Sequence, residues 1–400
     1  MELKKLEDLN LTEKSKVFVR LDLDVPLIDC QINDDSKIKA AIPTINYILG
    51  KTKKVVIGSH IGASSKEGNK DSLEMVGYRL SELLDMDVVF VEEYDKEPIE
   101  QILNQLDKNQ IILLENLLNH REEVNNDFEF ARCISRGIDF YVSDSFNVLN
   151  NTWASVVGIP ASLSVENVGA GFLLQKELFH LERFRRGPKA PYTVVIGGHS
   201  FKEKAGLILN LINHCNEILI GGGVAYSFLA YLGHGVGEFE IERVEHDLMD
   251  AIYRNAQQRN VEIILPMDHM CIKLYNGNNY ELEIFNRDIP GSHVGVDIGP
   301  KTREVFLAKL RRSNSIFFNG LLGFDENENY LKGTFDLMEA ISKSKADVLL
   351  VGENKASNFQ KVNRFIEPCS GRCFLSSGGS SSLEYLEGKS LPGLKQLVKG

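Results

Sequence analysis

The sequence has 400 residues, 43% of them hydrophobic and 25% charged, and a formal net charge of -11. That length exceeds what one simple core accommodates, so two domains are expected. The acidic balance argues against a nucleic-acid or anionic-membrane partner, and solubility is its simplest meaning.

The opening MELKKLEDLN has no apolar signal-peptide core. Short runs rich in Val, Ile and Leu follow: KVFVRLDLD (16–24), KKVVIGSH (53–60), DVVFV (87–91), QIILLEN (110–116) and DFYVSD (139–144). Between them, IKAAIPTINYILG (38–50) and LEMVGYRLSELLDM (73–86) carry helical periodicity. Repeated βαβ units predict a parallel sheet covered by helices. At 168–191 a long helical period runs into Arg-Arg-Gly-Pro and a second proline, the pattern of a connecting helix and linker. Alternation then resumes with YTVVIGG (192–198), EILIGGG (217–223), VEIILPMD (261–268), SIFFNG (315–320), DVLLVG (347–352) and CFLSSGG (373–379).

The uncharged run at 218–237 is as long as a membrane span, but its glycines, Ser, Tyr and His predict a strand, a turn and a helix instead. The six cysteines (30, 133, 215, 271, 369 and 373) form no CxxC pair and read as reduced thiols of a cytoplasmic protein. Ligands of open parallel sheets sit at the carboxyl ends of the strands. Here those ends carry Asp22, Asp24, His60, Glu115–His120 and Asp144 in the first half. In the second half they carry Gly197–Lys204, Gly221–Gly223, Asp268, Asn319–Glu326, Gly352–Ser357 and Ser376–Ser380. Acids and a histidine in one half, glycines in the other, suggest a small-substrate domain and a nucleotide domain.

Several segments, in order along nearly the whole chain, resemble phosphoglycerate kinase. They are RLDLDVPL (20–27), IKAAIPTI (38–45), VVIGSHIG (55–62), LLENLLNHREE (113–123), GGGVAYSFL (221–229), VDIGPKT (296–302), NGLLGF (319–324), LKGT (331–334) and SLEYLEGKSLPG (382–393). The resemblance implies two Rossmann-like parallel-sheet domains joined by a helix and hinge. The first would span 1–167 and be completed by 380–400; 168–191 would connect it to a nucleotide-type domain at 192–379. It also implies phosphoryl transfer between magnesium-ATP and 3-phosphoglycerate in glycolysis.

Carried over position by position, the family's substrate-binding cations are largely replaced. The arginine of its HLGR segment falls on Ala63, and that of LRFH on Leu118. The histidine and arginine of HRAH fall on Asn150 and Asn151. Asp22, Asp24 and His60 persist as substrate-binding candidates, and Lys37 stands for the catalytic arginine, keeping the charge without the planar fork. On the nucleotide side the resemblance retains Gly197, Gly198, Lys204, Gly221, Gly222, Asn319 and Glu326. The phosphate loop keeps Gly352 but has Glu353 and Asn354 for glycines and Lys355 for the metal-linked aspartate, so no metal ligand is assigned.

A hydrogen bond to a charged group contributes about 1.5–3 kcal/mol. Three missing arginines therefore remove about 5–9 kcal/mol, or three to six decades of affinity. The sequence thus reads as a family member with lost or strongly reduced standard activity and a binding or regulatory role. An active kinase with an atypical site and a phosphotransferase on a different acceptor are the alternatives. ATP or ADP is the candidate ligand, magnesium and a small phosphorylated acid are disfavoured, and a monomer is expected.

Each assignment has a structural alternative. His60 caps a loop; Asp22 and Asp24 pair with Lys37; Gly221–Gly223 form a packing turn; Lys204 lies on a helix surface; and 122–129 is an exposed loop and helix start. Trp153 and Leu118, standing where the family places polar and basic groups, are expected to make the substrate pocket apolar.

Overall fold

The computed structural model describes residues 2–28, 31–62, 71–94, 99–107, 109–241, 246–273, 281–352, 362–366, 369 and 371–399. The chain folds as two compact units, one made of 1–179 with 390–400 and the other of 180–389.

The first unit is built on six parallel strands: β1 (Lys16–Leu21), β2 (Lys54–Gly58), β3 (Asp87–Val91), β4 (Gln110–Leu114), β5 (Phe140–Asp144) and β6 (Val168–Ala170). They lie in the order β3-β4-β2-β1-β5-β6. The sixth strand takes residues read from the sequence as the start of the connecting segment; Val168 and Ala170 are buried and pair beside β5. Side chains alternate along a strand, so Val17, Val19 and Leu21 enter the core beneath helices α1 (Ser36–Leu49) and α2 (Glu74–Leu84). Phe18 and Arg20 point to the other face, where Phe18 stacks on Tyr141. Helix α3 (Phe172–Arg186) follows β6.

The second unit repeats the plan with β7 (Tyr192–Ile196), β8 (Glu217–Ile220) and β9 (Glu262–Ile264). A separate antiparallel sheet follows, formed by β10 (Asp268–Lys273), β11 (Leu282–Asn286) and β12 (His293–Ile298). The parallel sheet is completed by β13 (Ser315–Asn319), β14 (Asp347–Val351) and β15 (Cys373–Ser376), in the order β9-β8-β7-β13-β14-β15. Its helices include α4 (Phe201–Leu211), α5 (Gly222–Tyr231), α6 (Pro300–Leu310), α7 (Lys332–Lys343) and α8 (Gly379–Leu386).

Three expectations need correction. VEIILPMD is two strands: Pro266 supplies no ladder donor, β9 stops at Ile264, and Asp268 opens the antiparallel sheet. Residues 380–389 belong to the second unit, because α8 packs there and the Asn210 side chain donates to the Leu386 carbonyl. Cys369 and Cys373 are joined in a disulfide. The turn between them, with Gly371 at φ 78 and the Arg372 N–H on the Cys369 carbonyl, brings their Cα atoms to 5.5 Å, within disulfide reach. Cys133, Cys215 and Cys271 are free, and Cys30 lies outside the described residues. No helix among the described residues is long and apolar enough to cross a membrane; 218–237 runs through β8 and α5, as a strand, a turn and a helix.

Candidate functional site

In an open parallel sheet the binding crevice forms where neighbouring strands send their connections in opposite directions. In the first unit that point lies between β1 and β5; in the second it lies between β7 and β13.

At the first switch point the chain leaves β1 through Asp22 and Asp24. Asp22 is buried, and Lys37, in the first turn of α1, reaches it at 3.2 Å. The Asp24 carboxylate accepts the Gly62 N–H at 2.9 Å. Burial pushes the Asp24 carboxyl above its ordinary range, against the pull of Lys37 and of the Gly62 N–H. His60, two residues past the end of β2, is almost fully buried, with its ring 5.5 Å from that of Trp153 in an edge-on arrangement. Burial, reinforced by the positive charges of Arg20 and Lys37, holds His60 well below its usual value. Leu118 is buried, its backbone N–H on the Asn116 side chain. Asn151 donates to Asn150 at 3.3 Å, while Ala63 lies outside the described residues.

Sequence reasoning missed the group behind His60. Arg20 has no solvent exposure. Its Nε donates to Ser155 Oγ at 2.9 Å, one terminal nitrogen to the Leu21 carbonyl at 2.6 Å, and the other meets His60 Nδ1 at 3.0 Å. Ser155 is held in turn by Glu123, whose carboxylate accepts the Ser155 hydroxyl at 2.5 Å and its backbone N–H at 2.9 Å. Tyr141 donates to the Ser155 carbonyl at 2.8 Å. Burial pushes the Glu123 carboxyl up and the Arg20 guanidinium down, and the charge of each opposes the shift of the other. Glu123 is therefore a buried anchor, not part of an exposed run. The signal was present in KVFVRL: a charged residue inside a fully covered parallel strand requires partners.

Two other acids at strand ends are helix caps. Asp144, at the end of β5, accepts the Leu174 N–H at 2.9 Å at the start of α3, and burial pushes its carboxyl up to about 6. Asp268 accepts the Lys301 and Thr302 N–H groups at 3.0 and 2.8 Å, satisfying the first turn of α6.

At the second switch point glycines let three chain segments meet. Gly197 donates to the Asn319 carbonyl and Gly198 to that of Leu321, both at 2.8 Å. A Cβ on Gly197 would lie 2.2 Å from the Leu321 carbonyl oxygen, and one on Gly222 would lie 2.8 Å from that of Gly198. A Cβ on Gly221 would instead meet the Leu322 side chain, at 2.6 Å. The packing-turn reading thus accounts for these glycines without a ligand. Asn319 donates to the Val351 carbonyl at 2.8 Å, whereas its Oδ1 is buried without a donor. Lys204 is buried in α4, which corrects its surface alternative. Glu326 is exposed, and Gly352 is half-buried after β14. Glu353, Asn354 and Lys355 lie outside the described residues. Among the described residues no three acidic, His or Cys side chains converge to hold a metal ion.

Two doubly wound α/β units, each with polar or glycine-rich groups gathered at its switch point, define the class: a two-domain parallel α/β protein. The phosphoglycerate kinase family model matches residues 6–389. The phosphoglycerate kinase of Anaeromyxobacter sp. (strain Fw109-5) is 34% identical over 99% of this chain and 100% of its own. That of Bdellovibrio bacteriovorus is 35% identical over 99% of this chain and 97% of its own. The solved structure of phosphoglycerate kinase from Coxiella burnetii superposes with a TM-score of 0.83 at 29% identity, covering 99% of this chain and 100% of that one. The enzyme from Pyrococcus horikoshii OT3 gives 0.80 at 28%, covering 99% and 98%. The chain belongs to the phosphoglycerate kinase family.

Proposed function

We propose that this chain is a cytoplasmic, monomeric family member whose standard reaction, phosphoryl transfer between ATP and 3-phosphoglycerate, is lost or strongly reduced, and that it acts by binding. The observation that carries this reading is that both cations at the ends of β1 and α1 are already engaged. Arg20 is enclosed by Ser155, the Leu21 carbonyl and His60, and Lys37 rests on Asp22. A phosphorylated acid needs cations free to meet it, and phosphoryl transfer is mainly positioning plus charge stabilisation. Apolar Leu118 adds none. The test is turnover with ATP, magnesium and 3-phosphoglycerate, coupled to a dehydrogenase that consumes the acyl phosphate. Thermal stabilisation by ADP without turnover is expected; a rate in the ordinary kinase range of about 1–100 per second would overturn the reading. With Lys355 where the family carries its metal-linked carboxylate, magnesium is expected to change ADP affinity little.

A second reading, transfer to a less anionic acceptor, is favoured by the Trp153 ring beside His60. A screen of unphosphorylated hydroxy acids as acceptors addresses it.

A further inference from the structure

Arg20 does more than fill a buried position, because of what it can and cannot do as a hydrogen-bonding group. A guanidinium has five donors and no acceptor, and it keeps its proton in proteins. An imidazole nitrogen 3.0 Å from it must therefore offer a lone pair. We infer that Arg20 is a positioning residue that fixes His60 as a neutral imidazole with its proton on Nε2, so that the first switch point presents an uncharged N–H donor.

The arrangement is over-determined. Arg20 cannot turn away, because its Nε is bound to Ser155 and a terminal nitrogen to the Leu21 carbonyl. Ser155 cannot turn away either, since Glu123 accepts from both its hydroxyl and its backbone N–H. The hydrogen bonds run in one direction, from Arg20 to the Ser155 hydroxyl and from that hydroxyl to Glu123. Reversing the His60 tautomer would set two donors against each other at a buried contact. The ionisable groups of the surrounding elements are Arg20 on β1, Asp22 and Asp24 after it, Lys37 on α1, Tyr141 on β5, and Glu123. The two aspartates, which would favour a charged imidazole, are partly committed, Asp22 to Lys37 and Asp24 to the Gly62 N–H. Among the described residues nothing accepts from His60 Nε2. That donor is left for an oxygen acceptor, a hydroxyl or a carboxylate, and it adds no positive charge to attract a phosphate.

The statement about a ligand rests on the function proposed above, whereas the tautomer is a property of the free protein and is tested alone. Long-range nitrogen–proton NMR of protein carrying 15N-labelled histidine, with the His60 signals assigned through His60→Gln, reads the tautomer directly. The expected spectrum shows the proton on Nε2 and no titration step between about pH 5 and 8, where free imidazole titrates. A proton on Nδ1, or a titration step in that window, would overturn the inference. Arg20→Lys introduces a risk of misfolding, so Ser155→Ala is the working variant; it leaves Arg20 in place but releases its Nε. There a His60 titration step or a mixture of tautomers is expected, and Ser155→Thr, which restores the hydroxyl, is expected to remove it. A Ser155→Ala spectrum identical to that of the parent would also count against Arg20 being held through Ser155.

Discussion

The chemistry of the first switch point is decided by which charges are spent. Lys37 is one-third exposed at its side chain but Asp22 only 2%, so the pair matters chiefly to the aspartate. Lys37→Met is expected to lower stability by about 1–3 kcal/mol, by leaving a buried carboxylate without its cation, whereas Lys37→Arg stays close to the parent. Chemical denaturation of both variants decides this; equal losses would show that the pair is incidental. At this scale the sequence was only partly legible. Asp22, Asp24 and His60 could be found because they end strands. Arg20 carried a signal of its own, as a charge inside a covered strand, but its partners Glu123 and Ser155 did not: the three span up to 135 residues and meet only when β1, the segment after β4 and the segment after β5 are brought together. Lys204 misled for a related reason: helical spacing alone does not say which side of α4 faces the sheet.

Elements were easier to read than side-chain roles. The five runs read in the first half and the parallel strands of the second are visible because strands covered on both faces must be continuously apolar; the sixth strand, Val168–Ala170, is only three residues long and was not. The antiparallel sheet was not visible. Its strands include DHMCIK and LEIFN, where polar residues break the apolar run and the pairing itself supplies the order. The switch-point glycines show the same division between position and role. Gly197→Ala would drive a methyl to 2.2 Å from a carbonyl oxygen fixed in the neighbouring turn. A loss of about 1–3 kcal/mol, toward the upper end, is expected. Gly291→Ala, with open space around its Cβ position, is expected to stay within about 0.5 kcal/mol of the parent. Thermal unfolding of the two variants makes the comparison, and similar melting temperatures would remove the close-approach argument.

For the molecule as a whole, the sequence showed two similar halves and a connecting helix, but not how far residues near 390 return, since that depends on long-range packing. Stability against pH is also a property of the whole chain, and Asp297 contributes to it with a definite sign. It is buried in β12 with its carboxylate against the start of α7, accepting the Gly333 and Ile298 N–H groups at 2.7 and 2.8 Å. Burial, partly offset by those two N–H groups, raises its carboxyl from 3.8 to about 7. Its contribution is therefore complete below about pH 4 and lost as pH rises through about 7. At about 1.4 kcal/mol per pH unit, the decline is on the order of 4 kcal/mol across that window. His269, pushed down to about 4 chiefly by burial, acts in the opposite direction and is lost as the solution becomes acidic. Asp297→Asn isolates the first effect: the stability difference between parent and variant should shift against the parent from pH 4 to 7, and a constant difference would refute the assignment.

One pairing has a consequence for how the protein is made. The Lys4 N–H donates to the Leu397 carbonyl and the Lys399 N–H to that of Glu2, while Leu391, Leu394 and Leu397 are buried in the first unit. A ribosome releases these leucines only after every residue of the second unit has been synthesised. The unit begun first is thus the one finished last, and during translation it waits with an open seam while its neighbour already has all the residues it needs to close.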